Sequence, residues 1–250
     1  MRPEADWIVP HWPAGPRVHS LITTRNGGVS RPPFDTLNLG TQVGDDADAV
    51  LTNRARLCAS LPAEPRWLRQ VHGSNVVDAA ECAQFPEADA CIATQHDRVC
   101  AVLVADCLPV LMCDRAGTTV AAAHAGWRGL SAGVLESTVA AMPCRADELL
   151  AYFGPAIGPD EFEVGADVFA AFTRVDPGAA SCFRPKPGSQ PQTPKWLADL
   201  FALARRRLAQ VGVTAVFGGG LCTYRDPARF FSHRRDKRSG RQAALIWLSA

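Results

Sequence analysis

The stretch from Cys100 to Leu130 constrains the fold more than any other part of this 250-residue chain. It contains two short apolar runs, Cys100–Ala105 and Thr119–Ala123, which are rich in Val and Ala and too short to be helices. Runs of this kind between turn residues are typical of buried strands. We therefore expect two core strands here, and the residues that follow them should lie close together.

Each of these runs is followed by a side chain that can bind a metal or act as a nucleophile. The first run ends at Asp106 and Cys107, and the second ends at His124. A second histidine, His72, lies in a predicted turn beside a glycine, as His124 lies near Gly126. Because glycine lets the backbone approach a ligand closely, both histidines are candidate ligands.

Zinc accepts imidazole and thiolate ligands, and a catalytic zinc keeps three protein ligands and one open position. His72, Cys107 and His124 would supply that number. On spacing alone, however, these residues match no short metal-binding motif. Hydrogen-bonded turn histidines beside a buried cysteine are then the simpler interpretation. A third possibility is a nucleophile pair, in which Cys107 attacks and His124 is the base.

Composition excludes several classes of protein. The net charge of +1 argues against general binding of nucleic acid or of a membrane surface. Nine cysteines without a CxxC pair, after an N-terminus that has no apolar signal core, predict reduced thiols in a cytoplasmic protein. The longest apolar run is interrupted by Asp106 and Pro109, so no membrane span is expected. Nothing in the pattern calls for an obligate protein partner.

Strand-like and helix-like segments alternate along the chain, with helices predicted over Gly129–Met142 and Trp196–Gln210. A proline-rich segment between them, Asp176–Pro194, is predicted to be a loop. No internal repeat and no linker divides the chain. This pattern predicts a single mixed α/β (α+β) domain.

Several motifs together resemble those of the YfiH-like family. They include QVHGS at 70–74, ADCLP at 105–109, HAGWRG at 124–129 and FFSHRRD at 230–236. The match runs from about residue 17 to the C-terminus, so that residues 1–16 would be an N-terminal extension of one catalytic domain over 1–250. Members of this family are described as purine nucleoside phosphorylases, and formerly as multicopper polyphenol oxidases (laccases). The resemblance implies a layered α/β/β/α sandwich with mixed sheets.

In that family the histidine of QVHG, the cysteine of the DC-x-P motif and the first histidine of HAGW bind a catalytic zinc. The resemblance therefore assigns His72, Cys107 and His124 as zinc ligands. It implies phosphorolysis of adenosine, inosine and S-methyl-5'-thioadenosine, together with adenosine deaminase activity. Zinc suits deamination, because it can activate the water that attacks C6 of adenine.

Two other activities remain open. One is a Cys-His hydrolase acting on peptidoglycan precursors, since some relatives are described as peptidoglycan editing factors. The other, less favoured, is a copper-dependent polyphenol oxidase (laccase). His₂Cys is a blue-copper ligand set, but the other histidines form no His-x-His pair.

Phosphorolysis also requires an anion site, and arginine forks match phosphate geometry. The candidate phosphate ligands are Arg25, Arg54, Arg128 and Arg235, with Arg234 and Arg241 as further possibilities. For any one arginine taken alone, a surface ion pair is the favoured role.

Four further residues are candidates for contacts with substrate. Asp106 could be a general acid or base at a purine nitrogen, or it could orient a ligating histidine. Asn38 could hydrogen-bond ribose or stabilise its own turn. Trp127 and Phe231 could stack on the purine or pack in the core.

Overall fold

The structure, a computed structural model, describes residues 6–250. These residues form twelve strands, six α-helices and two 3₁₀ turns. The strands are β1 Val18–Ile22, β2 Val76–Asp78, β3 Ala90–Ala93, β4 Cys100–Val104, β5 Leu108–Asp114, β6 Val120–Ala125, β7 Leu149–Phe153, β8 Glu163–Val164, β9 Phe183–Pro185, β10 Trp196–Ala198, β11 Ala215–Gly218 and β12 Gln242–Leu248. The helices are α1 Ala47–Cys58, α2 Trp127–Ala132, α3 Val134–Ala141, α4 Ala166–Thr173, α5 Leu200–Gln210 and α6 His233–Asp236, and the 3₁₀ turns are Ala146–Glu148 and Pro177–Cys182.

The largest sheet has six strands in the order β11-β7-β5-β6-β3-β2. It is mixed, because β11 and β2 pair in parallel at its two edges while the inner pairs are antiparallel. In the central pair, Leu108 lies opposite Ala125 and Pro109 lies opposite His124. This register places Cys107, one residue before β5, beside the end of β6.

A second sheet, in the order β1-β12-β4, is antiparallel throughout, and a small third sheet has the order β8-β10-β9. Successive residues of β5 point to opposite faces of the six-stranded sheet. Leu111 packs in the apolar core between the two larger sheets, whereas Val110 packs with Leu135 of α3 and Leu203 of α5. Because both faces of β5 and β6 are covered, these strands show no polar alternation.

The outer face of the three-stranded sheet packs against Leu57 of α1. The layers are therefore α1, the three-stranded sheet, the six-stranded sheet, and the helices α3 and α5. The predicted α/β/β/α arrangement of a mixed α/β fold is confirmed.

Two predicted helices differ from the structure at their boundaries. The predicted helix over Gly129–Met142 is divided by Gly133, whose φ of 95° is left-handed and ends α2 before α3 begins. The predicted helix over Trp196–Gln210 starts only at α5, where the Asp199 side chain caps the amide of Ala202. The residues before that cap form β10.

The segments predicted as an extension and a loop are partly ordered. Ile8 exchanges two backbone hydrogen bonds with Ile22 of β1, and Trp7 is buried. Residues 1–5 of the predicted extension lie outside the described part of the chain. The predicted loop contains a 3₁₀ turn and β9, and Asp176 at its start is held by Arg206. Among the described helices, none has the length and apolarity needed to cross a bilayer.

Candidate metal centre

The structure brings His72, Cys107 and His124 together. One ligand atom of each lies within 4.8 Å of the other two, and this is the one such metal-binding group among residues 6–250. His124 is part of β6, Cys107 lies in the connection between β4 and β5, and His72 lies in the turn that precedes β2. The ring centroids of His72 and His124 are 4.8 Å apart, with the rings at 69°.

The donor set fits a single zinc ion. Two imidazole nitrogens and one thiolate are typical zinc ligands. The Sγ atom of Cys107 lies 3.8 Å from Nε2 of His72. Zn–N and Zn–S bond lengths place the nitrogen and sulfur ligands of a tetrahedral zinc about 3.5 Å apart. His124 is buried, whereas His72 is exposed, so the group opens to one side and leaves room for a substrate or water.

Glycines at two positions permit this convergence. A Cβ atom at Gly126 would lie 2.7 Å from Sγ of Cys107 and 3.1 Å from Cδ2 of His72. At Gly129 it would lie 2.9 Å from the carbonyl oxygen of Gly73. At both positions of the HAGWRG motif a side chain would clash with the ligands or with the turn that carries His72, so only glycine fits.

Asp89 connects the segments that carry the two histidines. Its Oδ1 accepts from Nδ1 of His124 at 2.8 Å and from the amide of His72 at 3.0 Å, while Oδ2 accepts from the amides of Gly73 and Val71 at 2.7 and 3.2 Å. The Asp89 side chain is completely buried. Burial raises the pKa of this carboxyl, but hydrogen bonds from His124, Gly73 and Val71 and the charge of His124 outweigh burial and lower it.

The hydrogen bonds to Asp89 determine which nitrogen of His124 is free and hold the backbone of His72. Because Nδ1 of His124 is engaged by Asp89, Nε2 is the nitrogen left for a metal. His72 has a φ of 61°, a left-handed conformation that is costly for a residue with a side chain. The hydrogen bonds that the amides of Val71, His72 and Gly73 donate to Asp89 hold that turn in place.

Sequence reasoning missed Asp89. The register of β3 on β6 places Ala90 opposite Ala123, so the residue before β3 lies opposite His124. The available signal was an aspartate directly before the short apolar run ACIA.

The metal-free group holds opposite charges. Burial raises the pKa of the Cys107 thiol, but the charge of His124 and hydrogen bonds from both histidines lower it to about 6. Burial lowers the pKa of His124, whereas the Cys107 thiolate and Asp89 raise it to about 9. At neutral pH these two groups form a thiolate–imidazolium pair, and the thiolate is the form of cysteine that binds metals.

The role predicted for Asp106 as the partner of a ligating histidine belongs to Asp89 instead. The oxygens of Asp106 accept from the Thr223 hydroxyl and from the amide of Arg234, each at 2.6 Å. Its φ of 85° is left-handed, and these two bonds fix it directly before Cys107. Asp106 thus anchors the cysteine loop to the C-terminal segments.

The three candidate ligands lie at one side of a cavity of about 440 Å³. Its wall includes three arginines, one further histidine and no carboxylate. These lining residues are Arg54, Arg128, Arg241 and His233. Phe85 and residues 40–43 also line the cavity, and Phe85 is 49% exposed. Neither Phe85 nor His233 was among the predicted contact residues; His233 lies in the SHRRD motif, while no sequence pattern marked Phe85.

Three predicted substrate contacts lie elsewhere. Arg25 donates to the carbonyls of Asp35 and Pro227. Arg235 donates to the carbonyl oxygens of Thr223, Tyr224 and Phe230. The amide of buried Asn38 is bonded on every side, to Gly40, Asp45 and Arg241. These three side chains hold loops together, and none of them lines the cavity. The phosphate and ribose contacts assigned to them stay predictions.

The other predicted contact residues are Arg234, Phe231 and Trp127. Arg234 donates to the carbonyl of Glu163 and is not part of the cavity wall. Phe231 is completely buried, and Trp127 packs against the core with Arg128 over its ring at 4.5 Å. Phe231 therefore presents no exposed face on which a purine could stack, whereas Trp127 is only partly buried.

Comparison with known proteins agrees with this geometry. A family model described as multi-copper polyphenol oxidoreductase laccase matches residues 19–249. A Pseudomonas aeruginosa protein named purine nucleoside phosphorylase is 52% identical over 244 residues, which cover 97% of this chain and 98% of that protein. The Escherichia coli K12 purine nucleoside phosphorylase YfiH is also 52% identical, over 96% of this chain and 98% of its own.

Solved structures show the same fold. A Neisseria meningitidis protein matches with a TM-score of 0.93 and 51% identity, covering 98% of this chain and 100% of its own. YlmD from Geobacillus stearothermophilus matches with a TM-score of 0.89 and 29% identity, covering 100% and 98%. A family model spans nearly the whole chain, and two relatives share about half of its residues. This chain therefore belongs to the YfiH-like family, whose model is described as multi-copper polyphenol oxidoreductase laccase.

Proposed function

We propose that this chain is a zinc-dependent purine nucleoside phosphorylase acting on adenosine, inosine and S-methyl-5'-thioadenosine, and that it also deaminates adenosine. One observation carries this proposal: a His-Cys-His group opens into a cavity whose wall contains three arginines and no carboxylate. Such a wall suits a substrate with a negatively charged oxyanion. The name shared by the relatives described above is consistent with it.

Phosphorolysis makes one bond and breaks one bond in the substrates. An oxygen of inorganic phosphate bonds to C1' of the ribose as the C1'–N9 bond breaks. The purine leaves with the electron pair of that bond and takes up a proton. The products are the free base and ribose 1-phosphate, or 5-methylthioribose 1-phosphate when S-methyl-5'-thioadenosine is the substrate. The chain must therefore hold phosphate and nucleoside side by side, and the cavity beside the His-Cys-His group is the candidate for that space.

The residues of the site would act mainly by positioning. His72, Cys107 and His124 would hold zinc, which when bound would polarise a substrate oxygen and activate water for deamination at C6. With zinc bound, Asp89 would accept a hydrogen bond from Nδ1 of His124 and so leave Nε2 to the metal. Asp106 fixes the loop that carries Cys107.

Chromatography of the products tests this function. Zinc-loaded protein is incubated with adenosine or inosine, with and without phosphate, beside a His72→Ala variant. We expect free base and ribose 1-phosphate only when phosphate is present, and loss of both in the variant. Release of base at the same rate without phosphate would contradict phosphorolysis, and adenosine converted only to inosine would leave a deaminase.

A second candidate is a Cys-His hydrolase acting on peptidoglycan precursors. One observation favours it: Cys107, His124 and Asp89 lie in the order nucleophile, base and orienting carboxylate. In this alternative the Cys107 thiolate attacks the carbonyl carbon of an amide bond, and the amine leaves with a proton from His124 as the C–N bond breaks. Water then hydrolyses the thioester and frees the thiolate. Bound zinc would hold the thiolate and block the attack. Hydrolysis of a precursor peptide by metal-free protein, abolished by added zinc, would support the hydrolase.

A copper oxidase is less favoured. Multicopper oxidation needs several copper sites, whereas residues 6–250 contain one group of three metal-binding side chains. His₂Cys could accept a single copper ion. Metal analysis of the purified protein distinguishes the two metals.

A further inference from the structure

Arg54 and Arg241, in the wall of the cavity, lack the carboxylate partners that many other arginines of this chain have. Nine arginines form ion pairs with carboxylates within residues 6–250. Arg54 and Arg241 form none in that part of the chain, although Arg54 is only 8% exposed and Arg241 is half-buried. A buried charge without a counter-charge is costly, so its presence requires a reason.

The contacts of Arg54 leave its outer donors free. Its Nε donates to the carbonyl oxygen of Leu39 at 3.0 Å, and its guanidinium stacks on the ring of Trp67 at 4.2 Å. The ring of Phe85 lies 5.7 Å away on another side. Among described residues, no acceptor bonds to Nη1 or Nη2. The guanidinium is thus held rigidly while up to four N–H groups remain available to a ligand in the cavity.

Arg241 is held in a similar way. Its Nη1 donates to the carbonyls of Ser239 and Gly240, while Nε and Nη2 have no acceptor within residues 6–250. Its side chain passes over Gly40, where a Cβ atom would lie 2.8 Å from Cγ of Arg241. Burial lowers the pKa of both arginines, and the negative charges that raise the pKa of Arg241 are Cys107 and Asp106. Arg241 therefore lies on the side of the cavity near the metal ligands.

We infer that Arg54 and Arg241 form an anion subsite for a tetrahedral oxyanion, a phosphate group, beside the His-Cys-His group. This deepens the function proposed above and rests on it for the identity of the anion as substrate phosphate. Both guanidinium groups are pre-positioned by backbone carbonyls, so an incoming oxyanion finds donors that are already ordered. The negative charges that act on Arg54 and Arg241 within residues 6–250 form no ion pair with either guanidinium. A bound oxyanion would therefore supply the direct ion pair that both arginines are missing there. Arg128, exposed at the cavity mouth, is the third positive charge facing this space.

The same chemistry could come from two sources, free inorganic phosphate or the phosphate group of a nucleotide. The cavity holds the metal group and the arginines in one space of about 440 Å³. Separate titrations of the zinc-loaded protein with inorganic phosphate and with adenosine 5'-monophosphate distinguish them. If inorganic phosphate and adenosine 5'-monophosphate displace each other, the two ligands bind at the same site.

The test uses calorimetric titration with inorganic phosphate and phosphate saturation kinetics with inosine. The variants are Arg54→Gln, Arg54→Lys and Arg241→Gln, with Arg56→Gln as the matched control. Arg56 lies on the same helix, donates to the carbonyl of Gly27 and is not part of the cavity wall. Loss of charge-assisted hydrogen bonds should raise the Kd for phosphate about tenfold or more in both glutamine variants. Arg54→Lys should fall between, and Arg56→Gln should match the parent.

The outcomes separate this inference from the proposed function. A glutamine variant that melts like the parent and binds phosphate equally well would overturn the subsite. Phosphate-dependent base release with an unchanged KM for phosphate in both variants would also overturn it, while leaving phosphorolysis intact. Arginine-dependent phosphate binding without any purine product would support the subsite and reject the proposed reaction. Tight binding of the monophosphate alone, lost in both variants, would assign the subsite to a nucleotide.

Discussion

Replacement of Asp89 by asparagine is the sharpest perturbation of the candidate metal centre. The carboxylate accepts four hydrogen bonds, two at each oxygen. An asparagine amide can replace only one oxygen as an acceptor, so its NH₂ group must face two donors. Each buried donor left unpaired costs about 1–3 kcal/mol, which gives a loss of about 2–6 kcal/mol in the free energy of unfolding. Because domains are stable by about 5–15 kcal/mol, the variant should still fold.

Asp89→Asn should also lower zinc affinity, by an amount that the loss of folding stability does not account for. Substitution of a carboxylate that orients a ligating histidine typically lowers metal affinity about 10–100-fold. We expect a decrease of that size in zinc affinity for Asp89→Asn, measured by competition with a chelator, together with a changed absorption spectrum of the cobalt-substituted protein. The spectrum reports ligand geometry rather than fold.

A matched control exists at the other end of β5. Asp114 is also buried and accepts from the amide and hydroxyl of Thr118 and from the amide of Thr119. A strand of this length separates it from Cys107 by about 20 Å. Asp114→Asn should lower stability and leave zinc affinity unchanged. Equal losses of zinc affinity in both variants, or none in Asp89→Asn, would refute the positioning role of Asp89.

Three other changes give separate tests. In metal-free protein the thiolate absorbance of Cys107 should be present above pH about 6 and lost below it, since its pKa is lowered; a midpoint near the ordinary thiol value would contradict the ion pair. Gly126→Ala should lower zinc affinity about tenfold or more, because the new Cβ would lie 2.7 Å from Sγ, whereas Gly15→Ala, with its nearest atoms at 3.8 Å, should not. Asn38→Ala should lower the unfolding free energy in urea by about 2–4 kcal/mol without changing the KM for nucleoside, and a changed KM at parental stability would restore the ribose contact.

Much of the fold around the site could be predicted from the sequence. The run Cys100–Ala105 is close to β4, and Thr119–Ala123 is most of β6, because strands buried on both faces need continuous apolar residues. Cys107 lies close to His124 because each of them is at the end of one of two paired strands. The ligand set itself came from the motif resemblance, since spacing alone did not favour a metal.

Other parts of the site depend on tertiary register, which local patterns do not encode. Asp89 meets His124 only because β3 pairs with β6 in one register. Arg25 donates to the carbonyl of Pro227, 202 residues away, and its sequence neighbourhood could not show this contact. Arg241, by contrast, keeps free donors at the cavity.

Phosphorus NMR of a reaction mixture tests the central claim most directly. Zinc-loaded protein is mixed with inosine and inorganic phosphate, and the phosphate signal is followed as free base is released, with Cys107→Ser as the inactive control. We predict that inorganic phosphate is converted to a sugar 1-phosphate in equal amount to the base, and that the variant produces neither. Release of base with no consumption of phosphate, or equal conversion by the variant, would contradict phosphorolysis at the His-Cys-His group.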